Sequence, residues 1–104
     1  MKILQIVPRG DVKLYGELVR KEAAIRKSGR GTFYRAGART RDSARWRHKA
    51  HSGWVHLQRG LSEIVTVEVR PLSDDQDWQM LSAFLGFVDR HFGDQIAAID
   101  IHYR

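Results

Sequence analysis

Arg45-Trp46-Arg47-His48-Lys49-Ala50-His51-Ser52-Gly53-Trp54-Val55-His56-Leu57-Gln58-Arg59 alternates polar and apolar side chains on either side of Ser52-Gly53. Glu63-Ile64-Val65-Thr66-Val67-Glu68-Val69 repeats the alternation after Gly60-Leu61-Ser62. Period-two patterns separated by glycine turns predict a three-stranded antiparallel meander over residues 45–69. A two-residue loop at Ser52-Gly53 sets His51 opposite Trp54, Lys49 opposite His56 and Arg47 opposite Gln58. Cross-strand partners share a face. One face then carries Arg45, Arg47, Lys49, His51, Trp54, His56 and Gln58. The other carries Trp46, His48, Ala50, Val55, Leu57 and Arg59. A three-residue second turn adds Val65 and Val67 to the apolar face, with Thr66 and Glu68 on the polar one. A one-residue slip would bury Arg45, Arg47 and Lys49, so the face assignment is strongly constrained.

The flanking sequence supplies the second layer. Ile3-Leu4-Gln5-Ile6-Val7 reads as a buried strand stopped by Pro8 and Gly10. Asp11 is the expected cap of a helix ending at Lys27, before Ser28-Gly29. Its apolar rows are Val12, Tyr15, Val19 and Ala23, and Leu14, Leu18 and Ile25. Thr32-Phe33-Tyr34 opens an edge strand inside residues 29–44, which otherwise read as a mobile loop rich in arginine and glycine. Ser73-Asp74-Asp75-Gln76 has the form of a capping box. Asp74, Asp75 and Asp77 suit the positive end of a helix dipole better than a metal site. That helix runs to Phe92 and stops at Gly93, with Trp78, Leu81, Phe84, Leu85, Val88 and Phe92 on its apolar face. Met80 and Phe87 widen this face. Residues 95–103 close the chain as a strand, with Ile99, Ile101 and Tyr103 on one side and Ala98, Asp100 and His102 on the other. The order β-α-(β)-β-β-β-α-β predicts an α+β fold. Two helices cover one face of a mainly antiparallel sheet in a two-layer sandwich. The 104 residues suit one domain, 1–104.

Charge is concentrated. The formal net charge is +6. Residues 20–59 hold 12 basic and 2 acidic side chains, whereas residues 60–104 hold 3 and 8. Such a block produces a localised positive field. The absence of cysteine removes disulfides, thiolate catalysis and cysteine zinc sites. No apolar run is long enough to span a bilayer, and no secretory leader is legible, so a cytoplasmic setting without membrane attachment is expected.

Arginine and lysine beside an exposed ring form the chemistry of single-stranded nucleic-acid binding, with charges on phosphates and the ring under a base. The expected interface is Arg45, Arg47, Lys49, His51, Trp54 and His56 on the open sheet face, with Arg35, Arg39 and Arg41 closing from the loop. The expected partner is RNA or single-stranded DNA, and no cofactor is implied. A metal site at His48, His51 and His56 conflicts with strand alternation, because His48 faces away from the other two. A ribonuclease would draw an acid and a base from His51, His56 and Glu68 beside Arg45 and Arg47. His91 and His102 read as structural. The alternative function is a protein-interaction module: the basic block docks an acidic partner, or a homodimer forms through Met80 and Phe87.

Overall fold

A computed structural model describes residues 1–73 and 77–103. The elements are β1 (Lys2–Pro8), α1 (Leu14–Lys27), β2 (Phe33–Arg35), β3 (Ser43–His48), β4 (Gly53–Arg59), β5 (Val65–Pro71), α2 (Asp77–Phe92) and β6 (Ile96–Tyr103). The strands form one antiparallel sheet in the order β2-β3-β4-β5-β1-β6. This is the expected α+β architecture and element order. Asp74, Asp75 and Gln76 of the expected capping box lie outside the described residues.

Alternation sorts every strand between the layers. Leu4 and Ile6 of β1, Ala44 and Trp46 of β3, Val55 and Leu57 of β4, and Val65, Val67 and Val69 of β5 are buried. They meet Leu14, Tyr15, Leu18 and Val19 of α1 and Met80, Leu81, Phe84, Val88 and Phe92 of α2 in one core cluster. Phe33 of β2 sits between the rings of Trp46, Phe84 and Phe87, with centroids 6.1, 5.9 and 5.8 Å away. Edge-to-face ring packing of this kind ties the short edge strand to α2.

The register differs from expectation by even steps. Arg45 pairs with His56 and Trp46 with Val55, where a two-residue loop would have paired Lys49 with His56. Strand β3 ends at His48, so residues 49–52 form a wider turn and neither Lys49 nor His51 belongs to the ladder. Val55 pairs with Val69 and Leu57 with Val67, because a 3-10 turn at Leu61–Glu63 lengthens the second connection. Even steps preserve faces under a period of two, so Trp46, Val55, Leu57, Val65 and Val67 are buried as expected, whereas Ala50, now in the turn, is exposed and His48 and Arg59 are half-buried. Gly53 begins β4 at φ +111°, where a Cβ would lie 2.3 Å from the Arg70 carbonyl oxygen. Only glycine permits this approach of β4 to β5.

Three further expectations are corrected, and one buried charge, Glu22, was not foreseen. Helix α1 starts at Leu14 without a side-chain cap, because Asp11 is spent in the turn that follows Gly10, where Val12 N–H donates to the Arg9 carbonyl. Glu22 is buried, since position 22 continues the stripe of Tyr15, Leu18 and Val19, and its Oε2 lies 3.1 Å from Arg26 Nε. Trp78 is 64% exposed rather than core. Met80 is fully buried in the chain's own core and is not available to the helix-mediated homodimer expected through Met80 and Phe87. Phe87 is itself half-buried against Phe33 and Trp46.

Candidate nucleic-acid interface

The sheet face opposite the helices displays the outward residues of β2 to β5. Tyr34 pairs with Arg47, Arg45 with His56, His56 with Glu68, and Trp54 with Arg70. Neighbouring strands lie about 4.8 Å apart, so these pairs form rows running across the sheet. The guanidinium of Arg45 lies 5.1 Å from the centroid of the Trp54 ring, and that of Arg47 lies 6.0 Å away. Both distances are within the range of cation–π attraction, so one ring orders two cations on an open surface. Trp54 is half-buried, while Arg45 and Arg47 are exposed.

The face is not uniformly positive. Glu68 Oε2 accepts hydrogen bonds from Arg70, at 2.8 Å from Nε, in a partly exposed ion pair. His56 lies in register between Arg45 and Glu68. A shallow depression of about 380 Å³ is lined by Arg45, Trp54, His56, Glu68 and Arg70. A second, of about 320 Å³, shares Arg45 and His56 and reaches Ala36, Gly37 and Ala38. Together they make a trough from the β2–β3 connection to Trp54.

The expected residues are only partly brought together. Arg45, Arg47, Trp54 and His56 share the face. Lys49 and His51 lie at its end, lining a third depression with Tyr34 and Arg47. Arg35 pairs with buried Trp46 and so takes the helix-side parity of the edge strand. Arg39 and Arg41 are exposed on the connection from β2 to β3. That connection is tethered where Tyr15 Oη donates to the Thr40 carbonyl at 3.1 Å and Arg59 donates to Asp42 Oδ1 at 2.6 Å. Arg70 and Tyr34 were missed by the sequence reading. Arg70 extends the row of Thr66 and Glu68 by one step, and Tyr34 needed the β2–β3 register.

The histidines are arranged differently from the alternation argument. His48 and His51 stack with centroids 4.5 Å apart, because alternation lapses where β3 ends. His48 Nδ1 accepts from the Ala50 N–H at 3.0 Å. His51 lines the turn depression, apart from the central one, where His56 and Glu68, two of the three acid–base candidates, lie beside Arg45. Among the described residues no three His, Cys, Asp or Glu side chains converge on a metal position. No helix there is long and apolar enough to cross a membrane.

Burial, and then the charge of His51, hold the His48 pKa below the ordinary histidine value. Burial, followed by Lys21 and Arg90, does the same to His91. The unfolded chain then binds protons more readily than the native one near pH 6.5. The stability contributed by these two groups is fully present above that pH and is lost as pH falls through their native values. Thermal unfolding measured from neutral to mildly acidic pH should show a falling midpoint. The double variant His48→Gln/His91→Gln should show a smaller fall, and an equal fall would contradict the assignment.

No protein-family model, curated protein or solved structure matches the chain.

Proposed function

We propose that this chain binds single-stranded nucleic acid, RNA or DNA, on the β3–β5 part of its open sheet face, without catalysing a reaction. The observation that carries this reading is the Trp54 ring within cation–π distance of the guanidinium groups of both Arg45 and Arg47 on an uncovered face. Arg45, Arg47 and Lys49 neutralise phosphates, and Trp54 offers a π-face to a base of any identity. His51 and His56 border the path, and Arg39 and Arg41 extend the positive field from the adjoining connection. Arg35 reaches the path only around the sheet edge.

Fluorescence anisotropy with a labelled oligouridine across a salt series tests the proposal. Trp54→Ala is expected to lose about 1–3 kcal/mol of binding, or about 5- to 150-fold, with nearly the same salt slope, since stacking releases no counterions. Trp78→Ala, which alters an exposed tryptophan on α2, should bind as the parent does. Absence of binding by the parent at low ionic strength would sink the reading. An alternative is a protein-interaction module, which the exposed Leu72 and Trp78 favour. Apolar contact through them would be nearly insensitive to salt.

A further inference from the structure

The two sheet edges differ in kind. Strand β2 is three residues long and is followed by the arginine-bearing connection. Strand β6 is eight residues long, Ile96-Ala97-Ala98-Ile99-Asp100-Ile101-His102-Tyr103, and among the described residues pairs only with β1. It has no lysine, arginine or proline; its one formal charge is Asp100, and its register with β1 is regular from Ala98 to Tyr103, with the only shift at the Ile96 end. By its register with Ile6 and Leu4 of β1, Ile99 and Ile101 face the helix layer, yet they remain half-buried where the core reaches the edge. Asp100 and His102 lie exposed on the opposite face.

We propose that β6 is an interaction edge whose partner is β6 of a second copy of this chain. Identical strands related by a two-fold axis pair antiparallel, and the charges select the register. With the axis through Ile101, Ile101 meets its own counterpart, Ile99 meets Tyr103 of the second copy, and Asp100 meets His102 of the second copy. The last pairing occurs twice by symmetry, and a histidine ring N–H donates to a carboxylate in either protonation state. An axis through Asp100 opposes two carboxylates, and one through Ile99 sets Asp100 against alanine. In the chosen register the apolar row of β6 continues across the joint on the helix side. The axis is perpendicular to the sheet, so both open faces remain on the same side. This proposal stands independently of nucleic-acid binding.

Sedimentation velocity on the full chain over a micromolar concentration series tests it. The parent should show a concentration-dependent monomer–dimer equilibrium. Asp100→His and His102→Asp singly should each raise the dissociation constant by about tenfold, since each replaces an attractive pair by a like pair at two symmetric positions. The double variant Asp100→His/His102→Asp restores the pairing and should recover most of the loss. Both positions are exposed, so the variants should remain folded, which circular dichroism checks. A parent that stays monomeric, single variants that associate as the parent does, or a double variant no better than the singles would each overturn the proposal.

Discussion

Phe84→Ala is expected to remove about 3–5 kcal/mol of folding stability, the cost of emptying a fully enclosed aromatic site. Phe84 has no solvent exposure. It meets Phe33 edge-on at 5.9 Å and Trp46 at 6.2 Å, so it joins α2 to both β2 and β3. None of these neighbours is small or free to collapse into the vacated volume, because each is itself wedged between the sheet and α2. A domain of this size is stable by about 5–15 kcal/mol in all, so one side chain carries a large share. The unfolding midpoint should fall by about 4–8 °C for each kcal/mol lost. Urea denaturation gives the magnitude, and Trp78→Ala on the exposed side of the same helix should cost under about 0.5 kcal/mol. A loss below about 1 kcal/mol for Phe84→Ala would mean that α2 does not anchor the β2–β3 edge. That edge carries Tyr34, Arg45 and Arg47, so the core contact and the candidate interface are mechanically one unit.

The same edge shows what the sequence could and could not disclose. Alternation in residues 45–69 depends only on parity, so the assignment of Trp46, Val55, Leu57, Val65 and Val67 to the core survived connections wider than those assumed. What parity cannot supply is the length of a turn. The wider turn after His48 removed Lys49 and His51 from the ladder and brought His48 and His51 into contact. Helix periodicity failed in a comparable way at its margins. Trp78 and Met80 lie two residues apart, and the orientation of α2 over β5 decides which is buried. That orientation is set by long-range packing, and the local pattern admits both. Glu22 was unreadable for a different reason: residue type argued for solvent and position in the stripe for burial, and its buried Oε2 has the Arg26 charge nearby but no hydrogen bond.

The candidate interface was legible in its composition but not in its internal contacts. Charge counting located the basic block, and alternation set Arg45, Arg47, Trp54 and His56 on one face. Nothing local indicated that Trp54 is already engaged by two guanidinium groups, a cross-strand partnership that follows from register. The pair of Glu68 with Arg70 joins residues two apart on one strand, and alternation alone sets them on one face. Both contacts make the free surface more ordered and less positive than a count of arginines suggests.

Those contacts shape the largest expected effect on binding. Arg45 and Arg47 alternate along β3, which spaces them by about 6–7 Å, twice the strand rise. That is close to the separation of phosphates in an extended single strand, while Lys49 continues the row from the turn. Arg45→Ala/Arg47→Ala/Lys49→Ala should weaken oligouridine binding at least tenfold at low salt and reduce the salt slope by about 2, near 0.7 for each phosphate contact on a single strand. A fourfold rise in salt should then cost the variant about 18-fold less affinity than it costs the parent. The substitutions also uncover the Trp54 ring. Trp54→Ala added to the triple variant should therefore still lose affinity, at unchanged slope, which separates stacking from charge. All three side chains are exposed, so thermal unfolding should be nearly that of the parent and confirms that folded proteins are being compared. If the folded triple variant binds oligouridine as tightly as the parent, and with the same slope, phosphates are not held along β3 and the nucleic-acid reading fails.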